Sequence, residues 1–167
     1  KGFHLEYQPV IDTSDGSLYE VEALARWTHD TLGEISPREF IPLAEETGMI
    51  HILGRHVIAE ALHQGHLWNT DRIGPHVSVN ISPGQFHRSD FVEEIATLSR
   101  TSLLPPENIF LEITESTAMK FVEETMSKLR RLKEIGFRLS IDDFGTGYSS
   151  MKYLQEFNFD VLKIDRS

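Results

Sequence analysis

The chain has 167 residues, 40% of them hydrophobic and 25% charged, with a formal net charge of -10 and no cysteine. That composition suits one globular domain with a real apolar core, and it excludes disulfide scaffolds, thiol catalysis and cysteine zinc sites. The acidic balance speaks against a nucleic-acid polymer as partner, because such binders present a basic face; a small phosphate substrate stays open if metal ions neutralise it.

Apolar, strand-like runs alternate with longer helical patterns. The first two runs are "FHLEYQPVID" (3–12) and "YEVEALARW" (19–27). A capping box with proline at the first helical position, "SPRE" at 36–39, opens a helix that Gly48 stops and Pro42 complicates. A second helix is expected over 50–68, "IHILGRHVIAEALHQGHLW". The run "HVSVNIS" (76–82) follows, then a helix over 89–104 capped by Ser89 or Asp90. After "NIFLEITES" (108–116), a helix carries Val122, Met126, Leu129, Leu132 and Ile135 on one stripe and stops at Gly136. "FRLSIDDF" (137–144), a short helix "SSMKYLQEF" and "DVLKID" (160–165) complete the series.

Strand–helix alternation predicts crossover units and a parallel sheet. The later strands recur at about the repeat length of a (β/α)8 barrel. A doubly wound sheet is the competing architecture, but no G-x-G-x-x-G follows the first strand. About six strands are expected, fewer than a complete barrel needs. The chain opens at Lys1 without methionine and closes just after an apolar run, so it reads as a piece of a larger protein. No apolar run approaches the roughly 20 residues of a membrane helix.

Parallel strands buried on both faces should be continuously apolar. These are interrupted by Glu22, Asn80, Glu112, Asp142 and Lys163, all but Glu22 at or beyond the middle of the strand. Each has polar company at the same parity: Glu20 and Arg26 beside Glu22, Ser78 and Ser82 beside Asn80, Thr114 beside Glu112. A single strand-end acid is more often a loop cap or an ion-pair partner. Polar residues in corresponding places on successive strands instead mark the active face of a barrel. Carboxylates converging there would repel unless cations joined them, and oxygen donors of this kind suit Mg²⁺, Mn²⁺ or Ca²⁺. Asp143 has the wrong parity for that face, so it contributes only if the backbone leaves the sheet there, which the glycines of "FGTG" permit. His51, His56, His63 and His66 share one helix and are expected on its solvated face; no Ser-His-Asp order is legible.

Seven segments stand in order: "YQPVID", "EALARW", "SPREFIPLAEETGMI", "VNIS", "LEITES", "IDDFGTGYSS" and "LKIDRS". Together they resemble the EAL domain, a family of bacterial phosphodiesterases for cyclic di-GMP, over essentially the whole chain. The resemblance implies a TIM-like barrel, of which 1–167 holds about the first six strands and lacks the last two βα units. It implies hydrolysis of one phosphodiester of cyclic di-GMP to linear pGpG at a two-metal site of Mg²⁺ or Mn²⁺. Glu22, Asn80, Glu112 and Asp142 match the ligands of the first metal. Asp142 would bridge to the second, which Asp143 would bind. Lys163 matches the residue that contacts the nucleophilic water, and Glu115 the glutamate that secures the loop after "DDFG". Gln8, Leu24 and Arg26 match substrate-contacting positions. A homodimer, fusion to sensor or GGDEF domains, and a cytoplasmic domain whose parent has room for a membrane anchor are also implied.

Two departures bear on activity. Ala25 stands where the family carries leucine, a small packing change. The family's "EGVE"-like and "QGY"-like segments do not occur in 1–167, so this piece alone is expected to be inactive or nearly so. A non-catalytic cyclic di-GMP receptor and a dimerising signalling module are the alternatives. An enolase-type Mg²⁺ enzyme finds no support in the order of the motifs.

Overall fold

The computed structural model describes residues 2–69, 74–145 and 156–165. Its strands are β1 (Phe3–Ile11), β2 (Leu18–His29), β3 (Gly33–Ile35), β4 (His76–Asn80), β5 (Ile109–Thr114), β6 (Arg138–Phe144) and β7 (Val161–Ile164). Its helices are α1 (Pro37–Glu46), α2 (Ile50–Trp68), α3 (Pro83–Phe86), α4 (Phe91–Thr101), α5 (Glu115–Ala118) and α6 (Val122–Ile135). The strands form one sheet in the order β1-β2-β4-β5-β6-β7, with β3 on β2. From β2 through β4, β5, β6 and β7 every pairing is parallel.

The expected parallel sheet runs from β2 to β7, and at its start β1 pairs β2 antiparallel. Only 12–17 connect these strands, and a parallel crossover needs a dozen residues or more. The connection closes as a hairpin, with the Asp12 and Ser17 backbones 2.9 Å apart and Gly16 at φ 77°. The short strand β3, which sequence patterning does not suggest, pairs antiparallel with β2 through Trp27–Ile35 and His29–Gly33.

The helices follow their signals. Ser36 and Glu39 form the capping box of α1, and the helix continues through Pro42 on an exposed face. Two expected strand runs end early, because threonine and serine caps intervene. Ser82 caps α3 with Gln85 completing the box, and Thr114 caps α5, so Glu115 belongs to a helix rather than to β5. Asp90 precedes α4 but makes no side-chain cap; its carboxylate pairs with Arg88 instead. Gly136, at φ 112°, ends α6. The expected helix over "SSMKYLQEF" lies almost wholly outside the described residues.

Odd-numbered residues of β2, β4, β5 and β6 build the apolar core. Val21, Ala23, Val77, Val79, Ile109, Leu111, Ile113, Leu139 and Ile141 are buried with Val57, Ile58, Ala61 and Leu62 of α2 and Leu129 and Leu132 of α6. The even-numbered residues of those strands turn to the other face, since side chains alternate across a strand; on β7 the parity is reversed, because Val161 pairs with Ser140, and Lys163 joins the polar face. Register neighbours there are Gln8–Glu22, Glu22–Ser78, Asn80–Glu112, Glu112–Ser140 and Thr114–Asp142. One face thus holds the helices, and the opposite face carries a polar lining.

Candidate active site

The polar lining converges on Lys163. This β7 ammonium donates to Glu112 Oε1 on β5 and lies 3.6 Å from Glu22 Oε2 and 3.5 Å from Glu20 Oε1, both on β2. Asn80, the last residue of β4, donates from Nδ2 to Glu22 Oε1 at 2.7 Å. Four strands, adjacent or nearly so, therefore bring Asn80, Glu112 and Lys163, from the latter halves of β4, β5 and β7, together with Glu22 near the middle of β2. Parallel pairing makes this possible, because it sets successive strand ends side by side.

Charge balance in the cluster is unusual. Glu112 is 1% exposed. Burial pushes its carboxyl up from 4.5 to about 7, against the pull of Lys163 and with added repulsion from Glu22 and Glu20. Burial pulls the Lys163 ammonium down, but attraction to Glu112, Glu22 and Glu20 outweighs it, and its pKa is raised. Glu112 Oε2, Glu20 Oε1, Ser78 Oγ and Ser140 Oγ are all buried without a hydrogen-bond partner. Unpaired buried polar atoms are costly, and here they share one face of neighbouring strands.

Asp142 lies on the same face, paired in register with Thr114. Asp143 takes φ 54°, in the left-handed region, and the β6–β7 register shifts between Ile141 and Phe144. The parity mismatch is thus resolved at Asp143 itself, before the glycines. Gly145, at φ 99°, continues the exit. Burial raises the Asp143 carboxyl, and so do the negative charges of Asp142 and Asp165. Glu115, 2% exposed at the start of α5, accepts the Gly145 backbone N–H through Oε2 at 2.8 Å. This glutamate ties down the residue that follows "DDF", and the rest of that loop, 146–155, lies outside the described residues.

Gln8, Leu24 and Arg26 line one side of the mouth. Gln8 is the register partner of Glu22, and Leu24 that of Glu6. Arg26 Nε donates to Glu6 Oε2 at 2.8 Å and its Nη1 to the Ala25 carbonyl at 3.0 Å, so the guanidinium is held at the rim.

Among the described residues, no three histidine, aspartate or glutamate side chains stand grouped as a ready metal cage. The physical reason is visible: Lys163 occupies the space between Glu20, Glu22 and Glu112. The donor chemistry nevertheless fits a hard divalent ion. Glu22, Glu112 and Asn80 offer carboxylate and amide oxygens, and the buried, unpartnered Oε2 of Glu112 is an atom that a cation would satisfy.

Glu20 was read from the sequence only as polar company for Glu22. Its parity marks it as inward, but nothing in the sequence shows that it reaches Lys163, 143 residues further along the chain. The α2 histidines separate: His56 and His63 are exposed, whereas His51 has its Nδ1 buried. No helix among the described residues is long and apolar enough to cross a membrane.

A TIM-like α/β domain with a polar site at the carboxyl ends of parallel strands is the class that this fold and site define. The chain belongs to the EAL domain family, whose family model matches residues 1–167. Cyclic di-GMP phosphodiesterase PA2567 of Pseudomonas aeruginosa is 40% identical over 167 residues, which is 100% of this chain and 28% of that protein. The bifunctional diguanylate cyclase/cyclic di-GMP phosphodiesterase MucR of the same organism is 41% identical over 163 residues, 97% of this chain and 24% of that protein. The chain therefore spans about a quarter of the length of these curated relatives. Among solved structures, the PaMucR phosphodiesterase in its c-di-GMP complex superposes with a TM-score of 0.94 at 41% identity, covering 98% of this chain and 67% of that one.

Proposed function

We propose that the protein containing this chain is a metal-dependent phosphodiesterase that hydrolyses cyclic di-GMP to linear pGpG. The observation that carries the reading is the convergence of Glu22, Asn80, Glu112 and Lys163 from four strands of an EAL domain. The names of the relatives PA2567 and MucR support the substrate. Glu22, Asn80, Glu112 and Asp142 would hold one Mg²⁺ or Mn²⁺, and Asp142 and Asp143 a second. When bound, such ions supply an activated water and neutralise charge at the phosphate.

The protein's own side chains have separate tasks. Lys163 presents an ammonium inside the site, where it can donate a hydrogen bond to the attacking oxygen or to developing negative charge. Glu115 holds the Gly145 amide and with it the start of the loop that follows Asp143. Arg26 and Gln8, on the β1–β2 side of the mouth, contact the dinucleotide, with Leu24 beside them. The acidic lining repels the phosphodiester anion and its attacking hydroxide, so turnover requires divalent ions.

The test is hydrolysis of cyclic di-GMP by the full-length protein with Mn²⁺ or Mg²⁺, with and without a chelator. Formation of pGpG that the chelator abolishes, and that Glu22→Ala lowers by at least about 100-fold, is expected. Tight binding of cyclic di-GMP without turnover in any metal would replace this reading with that of a receptor.

A further inference from the structure

Glu20 lies one inward position before Glu22 on β2, deeper in the lining, and His76 is its register neighbour on β4. It is 2% exposed, and its Oε1 accepts no hydrogen bond although Lys163 Nζ stands 3.5 Å away. Lys163 already donates to Glu112. Among the three carboxylates around this ammonium, Glu20 is the one outside the proposed ligand set.

A divalent ion held by Glu22, Asn80 and the unpartnered Oε2 of Glu112 would neutralise the carboxylate that Lys163 now uses. It would also repel the ammonium. A half-buried ammonium without a counter-charge is disfavoured. Lysine has three donors on a flexible four-carbon stem and can change partner without moving its backbone. Glu20 offers the needed negative charge within reach, on the side of Lys163 away from the strand ends.

We infer that Glu20 is a positioning residue for Lys163, the carboxylate to which the ammonium transfers when a divalent ion takes Glu112. The inference rests on the metal-dependent reading above. Its consequence is that Glu20 relieves a competition between Lys163 and the ion for Glu112. Without Glu20, Lys163 stays on Glu112 and the ion binds less well.

Removing any nearby negative charge weakens cation binding, so a single variant cannot separate the two causes; a double-mutant cycle can. Mn²⁺ binding is measured on the substrate-free full-length protein, by the electron paramagnetic resonance signal of free Mn²⁺, for wild type, Glu20→Gln, Lys163→Met and the pair. Glu20→Gln should weaken Mn²⁺ binding by about tenfold, but by no more than about twofold when Lys163→Met is present. Glu20→Asp, which keeps the charge on a shorter stem, should recover part of the lost affinity. Should the glutamine variant not fold, the aspartate variant runs the same cycle with a smaller expected coupling. Equal weakening in both backgrounds overturns the inference and leaves the metal site standing. Absence of Mn²⁺ binding by the wild type overturns the metal site and the inference together.

Discussion

Asp143 shows how one backbone angle decides what a side chain can reach. At φ 54° it steps out of the alternation that carries Ser140 and Asp142 inward. Aspartate and asparagine tolerate this region far better than β-branched residues. Asp143→Asn should therefore keep stability within about 0.5 kcal/mol, whereas Asp143→Val should cost about 1–2 kcal/mol; denaturant titration separates them. Both should lose hydrolytic activity, since both lose the carboxylate. Glu112 yields a prediction about pH. Its carboxyl is raised from 4.5 to about 7, mainly by burial. The folded state then binds more protons than the unfolded state between those values. The stabilisation is fully present below the lower value and is lost as pH rises through the upper one. The metal-free protein should lose up to about 3 kcal/mol from this group across that window, on top of the contributions of other groups. Glu112→Gln, which mimics the protonated form, should remove that component, as chemical denaturation at several pH values in chelator would show.

Helices and strands differ in how openly they announce themselves. Caps at Ser36 and Gly136 and the apolar stripe of α6 made α1 and α6 legible, because these signals are local. The start of α5 falls inside an expected strand run and α3 goes unmarked just after another, since an apolar run does not say where a serine or threonine will turn the chain. Strand β3 is three residues long and exists through its pairing with β2. Close approach of elements is set by small residues. A Cβ on Gly65 of α2 would lie 2.6 Å from Leu104 Cδ2 and 2.8 Å from Val77 Cγ2. Alanine is the better helix former by about 1 kcal/mol, yet the clash with a buried strand should win. Gly65→Ala should lower stability by about 1–3 kcal/mol, measured by thermal or denaturant unfolding. By contrast, Ser36→Ala, which removes an exposed cap, should cost about 1 kcal/mol.

The whole molecule divides its two sheet faces between tasks. One is apolar and packs under α2 and α6; the other collects carboxylates within a chain of net charge -10. On β7, Leu162 is 51% exposed and Ile164 79% exposed, at the end of the strand order among the described residues. The solved PaMucR phosphodiesterase extends well beyond the matched part, since this chain covers 67% of it. Unpaired apolar edges favour association. Residues 1–167 prepared alone should therefore self-associate in light scattering. They should also turn over cyclic di-GMP at least about 100-fold more slowly than the full-length protein. Equal rates would contradict the expectation that further chain completes the site.

Alternation of apolar and polar residues, with acids late in each strand, was enough to foresee an α/β sheet and to name Glu22, Asn80, Glu112, Asp142 and Lys163 as one face. These are local properties, written in spacing and parity. The antiparallel β1–β2 pairing, the left-handed turn at Asp143 and the reach of Lys163 from β7 to Glu20 on β2 needed the folded chain. Such features depend on which strands become neighbours and how their ends align, and pairing between distant segments is set by the packing of the whole sheet rather than by any one stretch of sequence.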